Sequence, residues 1–286
     1  MKKKFILFAF AAFIALMSLV FAGCNNSAPA GGGGSAAPAG GGSSASPAAP
    51  AGASGDAYDL YIAAAKAMND AENISMDITS QTKTTFSGQT TDITTSGPVQ
   101  VTRTGGKLEM QMVEKSMANG LSTQMTVYYK DGYMYLDMGE NGKLKMEEPE
   151  DQLLNQRNIG AQVFDKQYVK DAKSEKTADG TKLTFTVDGK GMNALMSSAS
   201  SNLGSDASAA AAGATVTFGD ATIIAVIDGG GAMKSEDVTM SFSMNASGQD
   251  ISADVHSTVE NIKIGGANIT FPGDLDAYQA LSAPSQ

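Results

Sequence analysis

Apolar and polar positions change their period several times along this chain. Phe5 to Gly23 is apolar apart from Ser18, and residues 25–55 then carry no bulky apolar side chain. Tyr58, Tyr61, Ile62, Ala65 and Met68 follow at helical spacing. With Asp56 and Asp59 at its positive end, this predicts an amphipathic helix over 56–72, closing near Glu72-Asn73 with Asn73 as its cap.

From Ile74 the period is two. Ile74, Met76 and Ile78 alternate with Ser75, Asp77 and Thr79, and a Thr-rich run carries the strand to Phe86. Ser87-Gly88-Gln89 predicts a turn. Thr90 to Thr104 returns, with Pro98 marking a bulge or an edge position. Leu108, Met110 and Met112 share a face of the next strand, and Met125, Val127 and Tyr129 a face of the one after. Asp131-Gly132 and Asn141-Gly142 are hairpin turns around a strand in which Met134, Leu136 and Met138 face one way.

The second half repeats this plan. A short helix is expected around Asp151–Asn155. Tyr168 to Thr177 pairs across Asp179-Gly180 with Lys182 to Val187. A weaker helix carries Met192, Leu195, Met196, Ala199 and Leu203, and a low-complexity loop spans 205–213. Strands follow at Thr215–Ile227, Glu236–Met244 and Asp250–Ile264. Ile262 and Ile264 have the opposite parity to Ile251, Ala253, Val255 and Val259, which predicts a β-bulge at Glu260-Asn261. Leu275 to Leu281 is expected to close the chain as a short helix. The fold class is therefore α+β: a long curved antiparallel sheet, an open half-barrel, covered on one face by a few helices. Three regions result: a leader at 1–23, an attachment point and tether at 24–55, and one domain at 56–282.

Composition narrows the function classes. There are 20 basic and 30 acidic residues; without Lys2, Lys3 and Lys4 of the leader the net charge is near −13. A nucleic-acid binder needs a basic surface, so that class is excluded, and docking on anionic lipid through a basic patch is not expected of so acidic a chain. Cys24 is the single cysteine, so internal disulfides and multi-cysteine zinc sites are excluded too.

The leader decides location. Its basic start and apolar run fit either an export signal or an uncleaved membrane span. Val20-Phe21-Ala22-Gly23-Cys24 resembles a bacterial lipobox, with Phe21 where leucine is usual. The resemblance implies lipid on Cys24, cleavage before it and a domain held on the extracytoplasmic face of the cell membrane. The Gly, Ala, Ser and Pro run at 25–55 is a flexible tether reaching on the order of 30 Å.

The lipobox, the tether, the helix-to-strand stretch from Asp56 to Ile78, the Tyr-rich hairpin from Tyr128 to Met138 and Ile269-Thr270-Phe271-Pro272 before Asp274-Leu275-Asp276-Ala277-Tyr278 resemble a family of Gram-positive lipoproteins of unassigned function. Their fold is similar to the LolA/LppX-like half-barrel. What this implies is a carrier that holds acyl chains between sheet and helices.

Candidate chemistry is sparse. Fourteen of the 16 methionines follow Cys24. Met76, Met110, Met112, Met125, Met134, Met138, Met240 and Met244 lie on apolar strand faces, as core filler or as a plastic lining for an apolar ligand. Met110/Met112 and Met240/Met244 also offer thioethers to copper, without a nearby histidine or cysteine. Asp137, Asn141, Gly142 and Glu148 match four positions of a calcium loop, but strands flank them and a hairpin explains them better. His256, the one histidine, shares a polar strand face with Asp254 and has no nucleophile motif beside it. Gly229–Gly231 reads as a turn after Asp228. No catalytic residue, metal site or cofactor is assigned. The expectation is a non-enzymatic, lipid-anchored protein that binds or carries a hydrophobic ligand such as lipid. The alternative is an envelope interaction module that meets protein or cell-wall polymer through the polar sheet face, motivated by Thr82–Thr85 and Thr90–Thr95.

Overall fold

The computed structural model describes residues 57–150, 164–193, 215–246 and 249–280. The leader, Cys24, the tether, the helix expected at Asp151–Asn155 and the loop 205–213 lie outside them. The helix expected around Met192 begins within residues 189–193 and otherwise lies outside them as well.

Helix α1 spans Ala57–Asn69. Its run of alanines lets it sit close to a sheet, and it buries Tyr61, Ala64, Ala65 and Met68. It stops earlier than the sequence predicts because its last carbonyls find a cap elsewhere. The Arg103 guanidinium donates to the carbonyls of Asn69 (2.9 Å) and Ala71 (3.0 Å), satisfying groups that helix ends leave open. Asn73 is not the cap. Its amide donates to the Ala267 carbonyl (3.2 Å), and its Oδ1 accepts from the Ala267 N–H (2.7 Å), binding the last part of the chain instead.

Thirteen described strands form one sheet: β1 (Asn73–Phe86), β2 (Gln89–Thr104), β3 (Lys107–Ala118), β4 (Leu121–Lys130), β5 (Tyr133–Asp137), β6 (Lys143–Glu147), β7 (Val169–Thr177), β8 (Gly180–Val187), β9 (Thr215–Phe218), β10 (Ala221–Ile227), β11 (Met233–Ala246), β12 (Gln249–Ile264) and β13 (Gln279–Ala280). Their order is β13-β6-β5-β4-β3-β2-β1-β12-β11-β10-β8-β7, and β9 pairs with β11 beyond the end of β10. The sheet is not closed, and every pair except β13–β6 is antiparallel. The expected strand Thr215–Ile227 is two strands, because Gly219-Asp220 breaks it.

β1 and β12 join the two meanders. The bulge is where parity placed it: the register shifts between Ser75 and Asp77 opposite Glu260–Lys263, and Asn261 has φ +54°. Ile262 thereby returns to the core side, and Ile264 comes to lie opposite Ile74. Pro98 marks neither an edge nor a β1–β2 bulge. β2 is interior, and its ladder with β3 is interrupted between Ser96↔Lys115 and Val99↔Met112. There the Val113 carbonyl lies so close to Gly97 that a Cβ on Gly97 would sit 1.6 Å from it.

One face of the sheet carries the core. Ile74, Met76, Ile78, Val99, Val101, Leu108, Met110, Val127, Tyr129 and Met134 continue into Leu183, Phe185, Ile223, Val238, Val255 and Val259. On this face α1 packs at the β7–β10–β11 end, with Tyr61 against Phe185 and Phe164. The opposite face is polar over β11, β12, β1 and β2. Farther along it is crossed by the chain after β12. Asn268 N donates to the Gln100 side chain (2.6 Å), Phe271 packs on Tyr128 and under Lys130, and Tyr278 meets the Tyr135 ring edge-on. This strap ends as a 3₁₀ turn, Leu275–Ala277, and β13, where the sequence predicts a helix. At the far edge β7 is exposed beyond Val169 and rich in charge, which blunts an open strand.

Candidate functional site

Pairing register turns the core face into rows across the strands. Val101, Ile74 and Ile264 form a row at one end, beside Asn73, where the strap leaves β12. Three rows nearer the opposite, hairpin end, Thr95, Ser80 and Ser257 lie side by side, all buried, and the Ser257 hydroxyl has no hydrogen-bond partner. Beyond them the face becomes apolar again. Met240 and Val255 are buried, and the tilted rings of Phe218 and Phe242 meet with centroids 5.6 Å apart. The last row is Val216–Met244–Ile251–Phe86. Val216 is 37% exposed and Phe86 43%. An apolar track thus leaves the packed core and reaches solvent at the strand tips.

At the same strand tips lies a cleft of about 790 Å³, lined by Thr85, Thr217, Ser243 and Ser252 of the polar face together with Met244 and Ile251 of the core face. A neighbouring cleft of about 340 Å³ adds Phe218, Phe242 and Ala253. Asn245 donates to Asp250 at 2.6 Å on the rim. The combination can hold an apolar body with a polar end.

β9 forms the open wall and is held by charge. Lys170 donates to both Asp220 oxygens (2.8 and 2.9 Å) and lies 3.4 Å from Asp188. Asp220 also accepts from Gly189 N at 3.1 Å, and Gly189 lies against the Phe218 carbonyl, where a Cβ would come within 2.2 Å. The bond to Asp220 raises the Lys170 pKa. Lys170, then the Gly189 N–H, lower that of Asp220; the Lys190 N–H, then Lys170, lower that of Asp188.

The eight methionines separate into groups. Met76, Met110, Met134 and Met240 are buried in the core, and Met112 and Met125 pack against it. Met244 lines the cleft, and Met138 precedes the 3₁₀ turn Gly139–Asn141. Met240 and Met244 stand four residues apart on one strand, roughly 13 Å, too far to share an ion. The sequence reading passed over Val216, Phe218 and Phe86. Their signal was the apolar alternation at 216 and 218 and an aromatic closing a Thr-rich strand.

The remaining motifs are structural. Asp137 to Glu148 includes the β5–β6 hairpin; Asp137 accepts from Gly139 N (2.9 Å) and lies 3.6 Å from Lys143. His256 pairs with Asp237 on the next strand at 2.7 Å, not with Asp254. Asp228 accepts from Gly230 N and Ala232 N (2.8 and 2.9 Å), an Asx-type turn.

Residues 56–274 match the model of a family of unknown function, DUF6612. No curated protein matches the sequence. Among solved structures, a DUF1329 family protein from Desulfovibrio piger is similar with a TM-score of 0.28 and 10% identity, covering 74% of this chain and 93% of that one. A LolA superfamily protein from Nitrosomonas europaea is similar with a TM-score of 0.24 and 9% identity, covering 78% and 97%.

Proposed function

The chain belongs to the family of unknown function DUF6612, and from that premise we propose that it is a lipid-anchored exported protein that binds a hydrophobic ligand at the strand-tip end of its core face. The observation that carries this is the row Val216–Met244–Ile251–Phe86, which extends the core face outward to solvent. Isolated exposed apolar residues are ordinary; a row continuous with the core and bordered by hydroxyls is a binding surface. Cys24 carries the lipid in this reading, the tether 25–55 spaces the domain from the membrane, and helices cover the core face of a half-barrel. The role is binding, without catalysis.

The experiment is extraction and mass spectrometry of the purified protein, with titration of a fluorescent fatty acid. Apolar molecules should copurify, and Met244→Asp or Val216→Asp should weaken the probe. A protein that copurifies with nothing apolar and leaves the probe unbound would rule the ligand out. The anchor is tested apart from it: Cys24→Ala should release the protein from membranes.

A second reading draws on the polar face. Thr217, Ser243, Ser252 and Thr85 form one row of hydroxyls across four strands. That spacing suits a hydroxylated envelope polymer or a protein surface. Retention on purified cell wall, lost in Ser243→Asp and Ser252→Asp, would support it; no retention would remove it.

A further inference from the structure

Six large apolar residues are exposed among the described ones, and four stand at the same end of the sheet: Phe86, Met117, Leu121 and Val216. Met117 (55% exposed) and Leu121 (74%) flank the β3–β4 turn, Asn119-Gly120; Phe86 precedes the β1–β2 turn, Ser87-Gly88. The turns are neighbours because β2 pairs with β3. Ile93 lies opposite Ala118, so the β1–β2 tip projects four residues farther, roughly 13 Å.

Their charge differs from that of the chain. Residues 115–126, the tip half of this hairpin, hold Lys115 and no carboxylate, although the chain carries 30 acidic residues. Lys115 is exposed, and its cross-strand neighbours are Ser96 and Gln124. Residues 84–91 carry no charge; the charged row before them is Asp92–Lys83–Asp254, and the Asp250 carboxylate beside the β1–β2 tip accepts from Asn245 (2.6 Å). A water-facing loop in an acidic protein has no use for Leu121, Met117 and Phe86 in such surroundings. An interfacial segment does, because apolar side chains enter the acyl boundary while lysine meets anionic headgroups. The chain supplies the location, since its apolar run at 5–23 is joined to the domain by a charge-free tether.

We infer that the β1–β2 and β3–β4 hairpin tips dock on the surface of an anionic lipid bilayer, inserting Leu121, Met117 and Phe86 and placing Lys115 at the headgroups. This rests on the membrane-anchored part of the reading above, not on a bound ligand. Docking would set the open end of the apolar track against the membrane.

The chain has no tryptophan, so an introduced one reports alone. The full chain is prepared with Leu121→Trp, and separately with Ile264→Trp, an exposed position at the opposite end. Each is mixed with vesicles of phosphatidylglycerol and phosphatidylcholine that contain brominated lipid. The Leu121→Trp emission should shift to the blue and lose most of its intensity, while Ile264→Trp emission stays that of water. Adding Lys115→Glu should weaken the quenching on anionic vesicles more than on pure phosphatidylcholine. Vesicle retention of both proteins without quenching at 121 leaves the anchor standing and overturns tip docking. Quenching at 121 without stable retention supports the tips and removes the anchor. Absence of both overturns the proposal, and so does a blue shift that grows with protein concentration without lipid, which assigns the tips to a second copy. Circular dichroism confirms that each variant is folded.

Discussion

The Tyr61 hydroxyl donates to the Glu236 carboxylate between α1 and β11, and both side chains are buried. It is a polar contact inside an apolar interface where Tyr61 also meets Phe164 and Phe185. Tyr61→Phe keeps the ring and deletes the donor. The expected loss is about 1–3 kcal/mol in urea unfolding. Burial, then Glu236, raises the Tyr61 pKa well above that of a free phenol. A raised folded pKa gives stability that is complete below the unfolded value of ~10 and is lost as pH rises toward the folded one. Wild type should therefore weaken above about pH 10, and Tyr61→Phe should weaken less steeply. Parallel alkaline limbs would show that the phenol is not the group responsible.

Gly97 and Val113 set a second prediction. Gly97→Ala places a methyl against a backbone carbonyl that cannot rotate away. The cost should reach the upper part of the ~1–3 kcal/mol seen for overpacking, and the β2–β3 ladder should loosen on both sides of Pro98. At Gly88 a Cβ meets nothing within 4 Å, but φ is +78°. Gly88→Ala should cost only about 1 kcal/mol from backbone strain. Equal urea midpoints for the two variants would contradict this.

The clamp on β9 predicts a response to acid. Asp220 and Asp188 have lowered pKa values, so their contribution is present above the unfolded value of ~3.9 and is lost as pH falls through the lower folded values. Amide exchange in Thr215–Phe218 should rise below about pH 4. Lys170→Met should produce the same rise at neutral pH. Lys170 and Asp220 are exposed and Asp188 is partly so, so the change stays local and global stability moves little. Unaltered exchange in β9 under both conditions would mean that pairing with β11 alone holds it.

The strap supplies a fourth. Phe271 sits between the Tyr128 ring (6.0 Å) and the Lys130 ammonium (4.5 Å). Phe271→Ala should cost about 1–2 kcal/mol, since the ring is half-buried and its aromatic and cation contacts are each modest. The strap should then open to protease between Gly265 and Asp274 before the rest of the domain unfolds. Cleavage that waits for global unfolding would show that Asn73 and β13 hold it without Phe271.

Much of this molecule could be read from local pattern. Alternation located the strands because each has one wet and one dry face, and a parity change alone placed the Asn261 bulge. The helix face was legible for the same reason: Tyr61, Ala65 and Met68 fall on one side at 3.6 residues per turn. Misreadings occurred where a distant residue decided. α1 ends early because Arg103 caps it, Asn73 is drawn to Ala267, and Gln279–Ala280 becomes a strand because β6 offers an edge.

By itself, then, the sequence determined the faces: period, turn chemistry and burial are local properties that hydrophobic alternation encodes. The tertiary structure alone decided which faces meet and where they end. Only the β1–β12, β12–β11 and β11–β9 pairings bring Phe86, Ile251, Met244 and Val216 into one row, from position 86 to position 251 of the chain. Such register is set by the packing of whole strands and by non-local hydrogen bonds, which no window of sequence contains.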